Sequence, residues 1–138
     1  MGLYDIFSVS GSAMSAQTIR LNTTASNIAN ADSVASSSGE AYKARHPVFS
    51  TVLRNAGQAG QVSAGVKVAG IVESSAAPIA RYEPNNPLAD KGGYVYAPNV
   101  SLVEEMANMI SASRSYQSNV QVANMTKNLI SRTLTLGQ

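Results

Sequence analysis

Residues 101–136 read SLVEEMANMISASRSYQSNVQVANMTKNLISRTLTL, and their pattern decides the architecture. Ser101 and Glu104 have the spacing of a capping box, and Glu104 with Glu105 puts negative charge at the positive end of a helix dipole. From there Leu102, Met106, Met109, Ser113, Tyr116, Val120, Ala123, Ile130 and Leu134 recur at alternating steps of three and four, with one break at Lys127. The spacing predicts one helix closing before Gly137, roughly 50 Å long at 1.5 Å per residue. A helix that long does not fit inside a compact domain of this size, so it must extend outward or pair with another helix.

The opening of the chain offers that partner. Phe7, Met14, Leu21 and Ile28 recur every seven positions, with Leu3, Ala13 and Ala25 near the same face, which predicts an amphipathic helix with a coiled-coil seam. Gly11 and the Thr23-Thr24 pair lower its intrinsic helicity, the glycine alone by about 1 kcal/mol, so the segment needs packing to persist. Asn30, suited to the left-handed conformation that closes helices, marks its expected end before a Ser-rich run from Ala31 to Gly39.

Between the helices, Pro47–Leu53 and Val62–Val72 are β-friendly runs separated by Asn55-Ala56-Gly57-Gln58-Ala59-Gly60, the pattern of a hairpin with a Gly-rich tip. Pro78, Pro84, Pro87 and Pro98 then predict an extended, irregular stretch. The expected organisation is therefore mainly α with a β-hairpin and irregular insertion, the long N- and C-terminal helices pairing as an antiparallel coiled coil. Residues 1–30 and 101–138 form that helical domain, and residues 31–100 are the insertion.

Composition bounds what such a chain can do. Of 138 residues 44% are hydrophobic, but the class is filled largely by Ala, with no Trp and two Phe, so a deep core is not expected and burial requires partners. The net charge of +2 is spread without a basic run, which argues against nucleic-acid binding. Cysteine is absent, removing disulfides and thiolate chemistry. The start lacks the basic and apolar regions of a secretory signal, no apolar run reaches the length of a membrane span, and Gly2 lacks the hydroxyl residue at position 6 needed for myristoylation. No membrane insertion is expected.

No catalytic, cofactor-binding or metal site emerges. His46 is the single histidine, flanked by Arg45 and Pro47 rather than an orienting carboxylate, and reads as a surface or loop residue. Asp32, Glu40, Glu73, Glu83 and Asp90 are scattered, and read as solvated charges. Gly57, Gly60, Gly65 and Gly70 lack the Gly-Lys-Ser/Thr of a phosphate loop and read as turn positions. Three N-x-S/T sequons begin at Asn22, Asn99 and Asn124, two of them inside predicted helices, and carry little weight. Met106, Met109 and Met125 read as helix packing. The candidate assembly interface is Phe7, Met14, Leu21, Asn27, Ile28 and Asn30 on the first helix and Met106, Met109, Tyr116, Val120, Ile130 and Leu134 on the second. Asn22, Asn27, Asn30, Asn108, Asn119, Asn124 and Asn128 sit on or beside these seams, where amides fix register at a cost in stability.

The run Leu21-Asn22-Thr23-Thr24-Ala25-Ser26-Asn27-Ile28-Ala29-Asn30-Ala31-Asp32-Ser33 resembles the N-terminal signature of the flagellar rod and hook proteins. Tyr82 to Asp90, Gly93-Tyr94-Val95, Pro98-Asn99-Val100, Glu105-Met106, Ser111 to Gln117 and the closing Thr133 to Gln138 are similar to the proximal-rod members of that family, so the likeness spans nearly the whole chain. Many members continue the first motif with Thr-Pro-Gly-Tyr. Here Ser33 to Gly39 intervenes before Tyr42-Lys43, a linker similar to the proximal-rod type.

The resemblance implies a non-enzymatic subunit. It would be exported unprocessed through the flagellar type III apparatus and polymerised in the periplasm into the helical rod that transmits motor torque. Its implied partners are other copies of itself, other rod proteins, the inner-ring/rod adaptor and the export apparatus. Two other readings remain: a coiled-coil adaptor or needle-like subunit of another type III secretion machine, and a small secreted hydrolase using His46 with Ser50 or Asp32.

Overall fold

A computed structural model describes residues 2–55 and 62–136. The element order is α1 (Leu3–Asn30), β1 (Arg45–Asn55), β2 (Val62–Glu73), β3 (Ile79–Tyr82), β4 (Tyr94–Ala97) and α2 (Leu102–Leu136). Both terminal helices form over the ranges their periodicity predicts. The Asp5 carboxylate accepts the Gly2 N–H at 2.8 Å to close the first turn of α1, and the Ser101 hydroxyl accepts the Glu104 N–H at 3.4 Å to open α2. The expected left-handed closure at Asn30 does not occur. Asn30 stays helical with its amide donating to the Ser26 carbonyl at 2.8 Å, and Ala31 continues in the right-handed region at φ −60°, ψ −32°. The end of α2 at Gly137 and the tip of the first hairpin, residues 56–61, lie outside the described residues.

The two helices pack together, and their contacts run in opposite directions along the chain. Asn27 meets Glu105 and Arg20 meets Asn108, while Tyr4 and Phe7 share a cleft with Ile130 at the far end. The seam itself differs from the predicted one. On α1 the buried residues are Ser10, Ala16, Thr23, Thr24 and Asn27, with Ala31 just beyond. Ser10, Thr24 and Ala31 lie three positions after Phe7, Leu21 and Ile28, a rotation of about 60° around the helix. On α2 the buried residues, among those described, are Glu105, Ala112, Ala123 and Thr126, and Ala123 alone of these belongs to the predicted apolar line. Small side chains bring the helix backbones close, and bulky ones at the centre would hold them apart. Phe7, Met106, Tyr116 and Leu134 consequently stay exposed, while Met14, Leu21, Ile28, Met109, Val120 and Ile130 sit half-buried on the flanks.

The core matches this economy. Among the described residues its buried apolar side chains are seven alanines, Val95 and Pro98, and the largest fully buried side chains are Val95 and Asn27. β1 and β2 pair antiparallel from Arg45↔Glu73 to Asn55↔Val62, with a register shift between Val48 and Phe49. β2 crosses α1 at Gly65, where an added Cβ would meet the Ser12 hydroxyl at 3.2 Å. That hydroxyl donates to the Val9 carbonyl at 2.7 Å and accepts the Val66 N–H at 3.2 Å, fastening the hairpin to the helix. Gly65 and Gly70 are thus strand residues, not the turn positions the sequence suggested; Gly65 is small because a helix passes beneath it.

The proline-rich stretch holds a second hairpin that the sequence reading missed. β3 pairs β4 from Ile79↔Ala97 to Tyr82↔Tyr94, and Ala35 in the linker exchanges both backbone hydrogen bonds with Tyr96, at 2.9 and 3.0 Å. Two features hold the connecting loop. Gly93 has φ +80°, and a Cβ there would lie 2.9 Å from the Tyr82 ring, which itself stacks edge-on to Tyr94 at 5.3 Å. The Asp90 carboxylate accepts the Tyr94 N–H at 2.9 Å, the Gly92 N–H at 2.8 Å and the Tyr96 hydroxyl at 3.3 Å. These donors, the Tyr94 N–H foremost, hold its pKa below the ordinary 3.8 against an opposing push from desolvation.

Gly93→Ala should therefore destabilise the protein by about 1–3 kcal/mol through strain at a left-handed position, measured as a shift in urea midpoint; an unchanged midpoint would contradict this. Because Asp90 is more acidic folded than unfolded, the loop's stabilisation is complete above pH 3.8 and is lost as pH falls through its lower folded pKa. Asp90→Asn should flatten that part of an acid-unfolding curve.

Candidate functional site

Asn27 is the residue on which the most elements converge. It lies at the last turns of α1, fully buried, and all four of its amide bonding positions are filled. Nδ2 donates to the Arg45 carbonyl and to Glu105 Oε2, each at 2.9 Å. Oδ1 accepts the Arg45 N–H and the Tyr42 hydroxyl, also at 2.9 Å. The amide therefore bonds both backbone groups of the first residue of β1, as a neighbouring strand would, and ties them to α2. Because the Tyr42 proton is committed to Asn27, the Ser26 hydroxyl is the donor in its 3.2 Å contact with Tyr42. The Arg45 guanidinium lies 5.7 Å from the Tyr42 ring centre and 3.3 Å from Glu73.

On the other side of the junction, Glu105 is 5% exposed in the first turns of α2. A carboxylate there is favoured by the helix dipole and by the Asn27 amide. Asn108 links it onward, with Nδ2 3.5 Å from Glu105 Oε1 and Oδ1 accepting from Arg20 at 3.0 Å. One polar chain thus runs from Arg20 through Asn108, Glu105 and Asn27 to β1 and the linker. The sequence singled out Asn27 and Asn108 as register-fixing amides, while Asn22, Asn124 and Asn128 are exposed and Asn30 and Asn119 bond carbonyls of their own helices. It missed Glu105, Arg20, Tyr42 and Arg45 as parts of the network. The Glu104-Glu105 pair carried only a dipole signal, with nothing to say that one member faces inward.

The opposite end of the helix pair has a different character. Tyr4, Phe7, Lys127 and Ile130 line an apolar cleft of about 290 Å³, continuous through Tyr4 and Ile130 with one of about 280 Å³ that includes Leu3 and Leu134. Met125, Asn128, Leu129 and Arg132 line another of about 240 Å³ nearby on α2. Of the sequence-predicted interface, the structure thus brings Phe7, Ile130 and Leu134 together. Met106, Met109, Tyr116 and Val120 lie along α2, and Met14, Leu21 and Ile28 along α1, apart from that cluster.

His46 lies on β1, beside a cleft with Arg20 and Asn108. Ser50 is four positions further along the strand, about 13 Å at the usual rise, too far for proton transfer. Among the described residues, no group of three or more His, Cys, Asp or Glu is placed to hold a metal ion, and no helix is long and apolar enough to cross a membrane.

Two helices packed at a polar junction, with large apolar residues left outside, define a subunit suited to packing against other chains. Comparison with known proteins agrees. Residues 7–35 match the family described as Flagella basal body rod protein, and residues 91–136 match Flagellar basal body rod FlgEFG protein C-terminal. The chain is 51% identical to the flagellar basal-body rod protein FlgC of Salmonella typhimurium (strain LT2). It is 53% identical to those of Yersinia enterocolitica and Escherichia coli O6:H1, and every match covers all of both chains. The chain belongs to the flagellar basal-body rod proteins. Within them it is a member of the FlgC family.

Asn27→Ala would leave a buried carboxylate and both backbone groups of Arg45 without their partner. It should lower stability by about 2–4 kcal/mol, read by urea unfolding. Asn27→Asp should be no better, because it sets a second carboxylate against Glu105. A loss under about 1 kcal/mol for both would show that the junction is not what holds the fold.

Proposed function

We infer that this chain is a structural subunit of the bacterial flagellar basal-body rod, of the proximal-rod type, assembling with copies of itself and with other rod proteins. The observation that carries this reading is the division of its apolar residues. Alanines and small polar groups satisfy the packing within the chain, while Phe7, Met106, Tyr116 and Leu134 stay outside. Burying such a side chain from full exposure gains about 1.5–3 kcal/mol, and these four, still 36–67% exposed, have a third to two thirds of that left to gain, so a row of them along two long helices is a repeated adhesive surface. Contacts of different surfaces on identical chains generate open helical assemblies rather than closed dimers, the geometry a rod requires.

In this reading residues 1–30 and 101–138 form one antiparallel coiled-coil domain, and residues 31–100 form an insertion displayed on its side. Helices of neighbouring subunits add to that coiled coil and supply the bulky layers that the internal seam lacks. The assembly interface is Phe7, Met14, Leu21, Ile28 and Asn30 with Met106, Met109, Tyr116, Val120, Ile130 and Leu134, and Asn27 sets the register of the pair beneath it. The subunit passes the flagellar export apparatus, meets the inner-ring/rod adaptor, and works in the periplasm as part of the drive shaft that carries torque. The catalytic role is none. No observation favours the needle-like or adaptor alternative over this one.

Phe7→Asp and Leu134→Asp place a charge where a neighbour is to pack, at sites open to solvent in the single chain. Each should leave the helical circular dichroism of the purified protein unchanged and abolish swimming. Mass spectrometry of detergent-washed basal bodies should find the wild-type chain and not the variants. Variants that assemble and swim normally would refute the interface.

A further inference from the structure

We propose that the cleft beside Arg20 is a receptor for a carboxylate, filled in the rod by an Asp or Glu side chain of a neighbouring subunit. The cleft holds about 300 Å³ where α1, α2 and β1 meet, and is lined by Arg20, Thr24, His46, Pro47, Phe49 and Asn108. Its polar lining can donate from three of these residues, the Arg20 guanidinium, the Thr24 hydroxyl and the His46 ring, and among the described residues no carboxylate lines it. The Asn108 oxygen, its one side-chain acceptor besides the hydroxyl and the imidazole, is already taken by Arg20 at 3.0 Å.

Two of those donors are left wanting. Arg20 carries five N–H groups in a planar fork, and the bond to Asn108 is its one side-chain hydrogen bond among the described residues. No carboxylate among the described residues lies within ion-pair distance of it, since Glu105 is reached only through Asn108. Thr24 is 4% exposed, yet its hydroxyl makes no hydrogen bond among the described residues. Its neighbour Thr23 and the equally buried Thr126 both donate to the carbonyl one turn back, at 3.1 and 2.9 Å. The residue is enclosed, but its hydroxyl oxygen is not one of the fully buried unpaired atoms, which among the described residues are Gln17 Oε1 and Ser50 Oγ; the hydroxyl thus stays open where Thr24 lines the cleft. Pro47 and Phe49 wall the other side with apolar surface. A donor fork beside an apolar wall suits a carboxylate carried on a methylene stem better than a free anion, which would leave the wall unused.

This assignment rests on the rod reading above. The test uses the full-length chain in the flagellated bacterium, with rod incorporation measured by quantitative mass spectrometry of detergent-washed basal bodies. Arg20→Glu should lower incorporation by about tenfold or more, as repulsion replaces attraction. Motile revertants should carry a second change that neutralises or reverses an acidic residue on the surface of a rod subunit. Thr24→Val keeps shape and burial while removing the hydroxyl, so it should fold with an unchanged thermal midpoint and still incorporate several-fold less. Normal incorporation of folded Thr24→Val, or of Arg20→Glu, would overturn the site. So would revertants confined to Glu105 and Asn108 of the same chain, which would make Arg20 a part of the internal network alone. Saturable, tight binding of inorganic phosphate to the purified chain, seen in the Arg20 side-chain NMR signal, would assign the cleft to a free anion instead. If the wild-type chain itself is missing from basal bodies, the rod reading fails first, and the proposed occupant with it.

Discussion

The side-chain amide of Asn27 is the constraint from which the rest of the structure follows. Its two donors and two acceptors are all used, on one strand, one linker tyrosine and one buried carboxylate. A buried amide is favourable only when fully paired. The three partners therefore fix one another's positions: β1 must begin at Arg45, α2 must present Glu105 inward, and Tyr42 must fold back over α1. Hydrogen bonds are directional where alanine contacts are not, so a protein with a core this thin relies on such a junction to select one arrangement of its helices.

The same economy explains why the chain is built for company. A seam of Ala16, Ala112, Ala123, Ser10 and Thr126 buries little apolar area, and a long helix pair held that way is weakly stabilised at its open end. The large residues that would have formed a stronger internal seam are turned toward solvent or the flanks. Small residues inside and large ones outside invert the pattern of a self-sufficient helical hairpin, and this inversion makes a rod of shallow, repeated contacts possible. In the proposed assembly the polar end and the apolar end divide the work: one fixes the geometry of the subunit, the other offers surface to its neighbours.

Much of this was legible in the residues themselves. Both terminal helices, the first hairpin and the family followed from periodicity, turn signals and the Leu21–Ser33 motif. The seam did not, because a heptad of large apolar residues marks a sticky face without saying whether its partner is in the same chain. Here the internal partner took the line three residues on, where small side chains allow close approach. The second hairpin was hidden because its strands are four residues long and separated by a proline-rich loop whose hold comes from Asp90 and Gly93, not from hydrophobic alternation. Of the site, Asn27 was visible as an amide at a seam. Its partners were not, since Tyr42, Arg45 and Glu105 come together only through the fold, from 15 to 78 residues away.

The chain contains no cysteine, so a single one placed at Leu134 reports directly on whether the exposed apolar line is covered in the assembled state. The measurement is the maleimide labelling rate of Leu134→Cys in the purified chain and in intact basal bodies. Rapid labelling of the free chain with strong protection in the basal body is the result expected if neighbours bury the residues that the internal seam leaves out. Equal labelling in both would contradict the account, because the large apolar residues would then remain uncovered where the protein works.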